Sequence, residues 1–78
     1  MAARVEEMLA RFLTRCPGVD FCDDCVAAEL RVTRFDAEEA AGRLATLTDF
    51  LRDVWQCARC GRRTKVTRAL FRQHLTVR

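Results

Sequence analysis

The chain has 78 residues, five cysteines, one histidine and a formal net charge of +3. A chain this short makes one small domain, residues 1–78, and rarely buries enough apolar surface to stand unaided, so a staple is expected. It shows no signal peptide and no apolar run long enough to span a membrane, and its cysteine count is odd. These features argue against a secreted disulfide scaffold and point to a cytoplasmic setting without membrane contact.

The modest net charge hides an asymmetry. Residues 1–56 hold 7 Arg against 11 Asp+Glu, whereas residues 57–78 hold 7 Lys+Arg and no acid. The basic end is Arg59, Arg62, Arg63, Lys65, Arg68, Arg72 and Arg78. Such an end reads as a phosphate-facing patch, or as counter-charge for a nearby anionic centre.

Residues 3–15 read as the first helix. Val5, Met8, Leu9, Phe12 and Leu13 repeat at helical spacing and form one apolar stripe. Cys16-Pro17-Gly18 ends it. Cys16 itself reads as a small buried hydrophobe. The second helix, residues 22–31, turns Val26, Ala27 and Leu30 inward. It starts on Cys22-Asp23-Asp24-Cys25, where the helix dipole favours negative charge. A tight connection, residues 31–35, follows.

The third helix is expected to open at Asp36, since Asp36-Ala37-Glu38-Glu39 has capping-box spacing. Its inner face would be Ala37, Ala40, Ala41, Leu44, Leu47 or Thr48, and Leu51, small residues suited to close packing. Gly42 costs about 1 kcal/mol relative to Ala unless it permits a close approach. From residue 53 the pattern changes. Val54-Trp55-Gln56-Cys57 and Thr64 to Arg68 are β-branched and aromatic, and they read as a hairpin. Trp55 is expected beside the metal or against the third helix. The tail, residues 69–78, carries Leu70, Phe71 and Leu75 and reads as a short helix or a strand extension. His74 is far in sequence from either cysteine pair and is not expected to bind metal. No internal repeat, low-complexity stretch or domain boundary interrupts the chain.

The strongest chemical signal is a pair of CxxC motifs, Cys22/Cys25 and Cys57/Cys60. Four thiolates close a tetrahedral shell around one structural Zn²⁺ and leave no open position. Residues 26–56 separate the half-sites, longer than the usual ribbon spacing and enough for about two helices. Cys57-x-x-Cys60-Gly61 is a knuckle in which Gly61 supplies left-handed backbone. A redox CxxC wants a βαβ setting that is absent, and iron of the rubredoxin type wants two knuckles. Zinc binding to a site absent from the unfolded chain adds on the order of 10 kcal/mol to folding.

The resulting expectation is an α+β, mainly α, domain with a C-terminal β-hairpin stapled by a four-cysteine zinc site. The stretch Cys22–Arg68 resembles a winged helix-turn-helix. Val26 to Val32 resembles its second helix and turn, Asp36 to Leu47 its recognition helix, and residues 53–68 its wing, here a zinc knuckle. The chain also resembles small bacterial proteins that pair a C-x-x-C helix with a C-x-x-C-G hairpin. The winged-helix resemblance implies binding to double-stranded DNA, with the third helix in the major groove and the wing on phosphates. The residues it would use are Arg34, Arg43, Thr46, Arg59, Arg62, Arg63, Lys65 and Arg68. Arg31 stands at the turn position usually held by Gly, and Glu38, Glu39 and Asp49 put acids on the outer helix face, so contact would fall mainly to the wing.

The alternative is an adaptor that binds another protein, or a second copy of itself, through an acidic helix beside a basic hairpin. Catalysis is not expected. The sequence offers no nucleophile beside a base, no paired carboxylates and no open metal position, and no small-molecule substrate is implied.

Overall fold

The apolar stripe near the N-terminus folds as its period demands. In the computed structural model, which describes residues 2–70, helix α1 runs Ala2–Thr14. Val5, Leu9, Phe12 and Leu13 are buried along it. Gly18 then takes a left-handed φ of 81°, and its amide donates to the Ala69 carbonyl at 2.7 Å. That bond ties the first turn to the far end of the chain.

Strand β1, Phe21–Cys22, leads directly into helix α2, Asp23–Leu30. Arg31 caps α2 in the left-handed region, φ 59°, and the Val32 amide reaches back to the Ala27 carbonyl at 3.0 Å. This is the bond pattern of a Schellman cap, with arginine where glycine is usual. Helix α3 runs Arg34–Leu44. Ala37, Ala40 and Ala41 are at most 1% exposed, so small side chains let α3 lie close against α1 and α2.

Two boundaries differ from the sequence expectation. Asp36 does not open α3. Thr33 does: its hydroxyl accepts from the Asp36 amide at 3.0 Å. Threonine accepts at an N-cap as aspartate does, and Phe35 fits the first turn regardless of polarity. The far end stops earlier than expected, at Leu44. The Thr46 hydroxyl bonds the Arg43 carbonyl at 2.7 Å and helps turn the chain outward. Leu47 is therefore exposed in a turn, and Leu51 lies on a strand.

The hairpin is longer than its β-branched segments indicated. Strand β2 is Phe50–Gln56 and strand β3 is Arg63–Ala69. They pair antiparallel from Phe50↔Ala69 to Gln56↔Arg63. Strand β1 adds to the other side of β3 through Phe21↔Thr67 and Cys22↔Val66, giving the order β1-β3-β2. One face of this sheet meets the helical core, where Phe12 and Phe21 lie with ring centroids 4.8 Å apart. A second small cluster joins Cys22, Cys57 and Val66.

Among the described residues the architecture is three helices and a C-terminal hairpin, α+β and mainly α, as expected. Trp55 departs from its expected place. It is 55% exposed, and its contact is the Arg63 guanidinium, 5.6 Å from the ring centroid. Gly42 has open space where a Cβ would stand, so no close approach required it. The expected final helix or strand extension lies, beyond Leu70, outside the described residues, as do Arg72, His74 and Arg78.

Candidate metal centre

The topology brings the two CxxC pairs together from opposite halves of the chain. Cys22 ends β1 and precedes α2, and Cys25 sits in the first turn of α2. Cys57 follows β2, and Cys60 lies in the turn before β3. The turn is shaped by two bonds: the Gly61 amide to the Cys57 carbonyl and the Cys57 amide to the Arg62 carbonyl, both 2.9 Å. Gly61 holds the left-handed φ of 79° that the knuckle needs. A third bond, from the Ala58 amide to the Asp20 carbonyl at 2.8 Å, docks the knuckle beside β1, which ends on Cys22.

The four sulfurs all lie within 4.8 Å of one another. Cys22 Sγ and Cys60 Sγ are 3.7 Å apart, and so are Cys25 Sγ and Cys57 Sγ. A tetrahedral zinc with bonds of about 2.3 Å puts its sulfurs about 3.8 Å apart. The donor set, the spacing and the closed shell therefore fit one structural Zn²⁺, held by Cys22, Cys25, Cys57 and Cys60. When bound, the ion links the two half-sites and supplies folding free energy. Cys22 and Cys57 are 1% exposed, Cys25 is half-buried and Cys60 is exposed.

The protein prepares this site electrostatically. Burial pushes the Cys57 thiol up, but the amides of Cys60, Cys22 and Arg59 point at its sulfur and outweigh that, holding it down at about 6. The Cys22 amide lies 3.3 Å from Cys57 Sγ. Cys25 goes the other way. Burial first, and then hydrogen bonding with the Cys22, Cys57 and Cys60 sulfurs, push it up to about 12.

Cys16 stands apart, half-buried against the helical core. His74 lies outside the described residues. Asp23 and Asp24 are not spare ligands. Asp23 is 4% exposed and receives a bidentate pair from Arg52, at 2.9 and 2.7 Å. Arg52 also donates to the Thr67 hydroxyl at 2.9 Å. This buried network joins β2 and β3 to the residue following the first metal cysteine. The sequence offered little sign of it, because Arg52 lay at the expected end of a helix.

The residues expected to meet phosphate are placed as follows. Arg34 pairs with Asp24 at 2.9 Å and approaches Glu38 at 4.0 Å. Arg62 pairs with the same Asp24. Arg43 pairs with Glu39 at 3.6 Å, Arg59 with Glu29 at 2.8 Å and Arg68 with Asp20 at 3.0 Å. Arg59 also covers the Phe21 ring, 5.5 Å from its centroid. Thr46 directs its hydroxyl to the Arg43 carbonyl. Arg63 and Lys65 are exposed on β3, Arg63 against Trp55. Three residues of the basic end, Arg59, Arg62 and Arg68, therefore face acids of the N-terminal half, and Glu29, Asp24 and Asp20 are partners that composition alone did not reveal.

Among the described residues, these four sulfurs form the one group of three or more metal-ligating side chains that converges. No helix among them is long and apolar enough to cross a membrane. No protein-family model matches the chain, and no match was found among curated proteins or solved structures.

Proposed function

We propose that this chain is a zinc-stapled protein-interaction module of winged-helix-like form. One observation carries the reading: the arginines best placed for phosphate, Arg34, Arg43, Arg59, Arg62 and Arg68, each face an acid of the same chain. A duplex would have to displace those carboxylates, and they would then repel it. The surface instead offers apolar side chains. Val54 and Trp55 are 50% and 55% exposed on β2, an edge strand, beside Arg63 and Lys65 of β3. Adjacent strand residues face opposite ways, so the two flank this sheet edge, and such an edge suits a protein segment that mixes apolar and acidic residues.

A second reading keeps a specific support. Asp24 faces two guanidiniums, and Arg63 and Lys65 follow one of them in the chain, with no acidic partner among the described residues. A hairpin so equipped suits a wing on duplex DNA.

One pair of measurements separates the two. Fluorescence anisotropy of the zinc-loaded protein against mixed-sequence duplex, across a salt series, is expected to show no salt-dependent binding. Affinity capture with wild type and with Trp55→Ala is expected to retain one protein that the variant loses. Duplex binding that falls steeply with salt, and falls again in Arg63→Ala/Lys65→Ala, overturns the adaptor reading for the DNA one.

A further inference from the structure

We infer that Cys60 is a site of covalent oxidation by peroxides, and that its reaction opens the metal centre. The inference rests on the zinc reading above. The two sulfurs of each half-site are not equivalent. Cys22 and Cys57 are sealed at 1% exposure, while Cys60 is exposed and Cys25 half-buried. The metal cluster therefore has a closed side and an open side. On the open side is a depression of about 370 Å³ lined by Cys25, Cys60, Arg59, Arg62, Asp24 and Ala28, roomy enough for a small hydroperoxide.

The chemistry follows from that placement. Zinc, when bound, keeps the four sulfurs as thiolates at neutral pH. A thiolate that is exposed and stands beside cations is the susceptible kind. The Arg59 and Arg62 side chains line the same opening as Cys60. The Cys60 thiolate attacks one peroxide oxygen. The O–O bond breaks, an S–O bond forms, sulfur loses two electrons and hydroxide leaves. Cys22 Sγ, 3.7 Å away on the other half-site, then attacks the Cys60 sulfenic acid. An S–S bond forms, the S–O bond breaks and a second hydroxide leaves. Two thiolates are consumed, so two of the four metal ligands are lost.

The resulting Cys22–Cys60 bridge joins the same two half-sites as the ion did. Peroxide would thus exchange a metal staple for a covalent one, rather than release the hairpin. Cys16, half-buried and outside the cluster, is an internal comparison.

The test begins with zinc content, followed by substoichiometric hydrogen peroxide, a chromogenic zinc indicator and peptide mapping. The expected result is one zinc per chain, first oxidation at Cys60, a Cys22–Cys60 disulfide and zinc release in step with it. Cys60→His keeps a fourth donor and removes the reactive sulfur. It is expected to retain zinc and release it at least tenfold more slowly under peroxide. A protein that binds no zinc overturns both the metal reading and this one. A zinc-loaded protein that oxidises first at Cys16 or Cys57, or a zinc-loaded Cys60→His that releases metal as fast as wild type, overturns this one alone.

Discussion

Replacing Arg52 with Met tests how the hairpin is locked onto the first cysteine pair. Arg52 and Asp23 form a bidentate ion pair whose side chains are 13% and 5% exposed. Methionine preserves the stem but strands the Asp23 carboxylate in the core. Breaking a buried pair by removing one partner costs about 3–5 kcal/mol. Two local features bear on the figure. Asp23 stands in the first turn of α2, where the helix dipole offsets part of the loss, on the order of 1 kcal/mol. Thr67, fully buried, loses its Arg52 donor but keeps a hydroxyl that can turn to another acceptor. The lower end, about 3 kcal/mol, is therefore expected. For a domain of this size each kcal/mol moves the melting temperature by about 4–8 °C, so the midpoint should fall by about 12–24 °C. Zinc must be saturating in every sample, because bound metal raises stability by mass action. Melting followed by circular dichroism measures the change. Asp23→Leu combined with Arg52→Met removes both charges and should recover most of the loss. A loss below about 1 kcal/mol in Arg52→Met, or a double variant no more stable than the single, refutes the reasoning.

Further outcomes follow from single residues. Thr33→Ala should cost about 1 kcal/mol by removing the cap of α3, and Asp36→Ala should cost less; urea unfolding ranks the two. Gly42→Ala should stabilise by up to about 1 kcal/mol, since helix propensity rises and the new methyl meets nothing within 4 Å. Gly61→Ala has similar room but a left-handed φ of 79°, so it should cost about 1–2 kcal/mol in the same assay. Zinc affinity should fall with falling pH, because protons compete for the sulfurs. The amide-stabilised Cys57 thiolate is depressed to about 6, so it adds its proton to that competition only below that pH. A plot of log affinity against pH should steepen by one proton per zinc there, and an unchanged slope would contradict the assignment.

The elements were legible in the sequence where a period or a ligand motif dictated them. Val5, Leu9, Phe12 and Leu13 repeat at helical spacing, and they do form a buried stripe. The two cysteine pairs have the chemistry and spacing of half-sites, and their sulfurs converge. Boundaries were less legible, because local hydrogen bonds set them. The Thr33 hydroxyl, two residues before the expected turn ended, claimed the cap. The alternation of Phe50, Arg52 and Val54 was hidden by Leu47 and Leu51, which also fit a helical period. Strand β1 has two residues, too few to show any pattern, and it exists because β3 offers it a partner. The charge network was illegible for a different reason. Pairs such as Arg59–Glu29 and Arg68–Asp20 join residues far apart in the chain, and only the fold decides whether a basic end faces a ligand or its own acids. In this chain much of it faces its own acids.

The central claim is that one zinc ion on Cys22, Cys25, Cys57 and Cys60 holds the two halves of the fold together. Titrating zinc into metal-free protein, followed by circular dichroism, tests it most directly. The account expects ordered structure to rise and level off at one zinc per chain, with no such rise in Cys57→Ser. A metal-free protein that already gives the full signal, and the same melting curve with and without zinc, would contradict it.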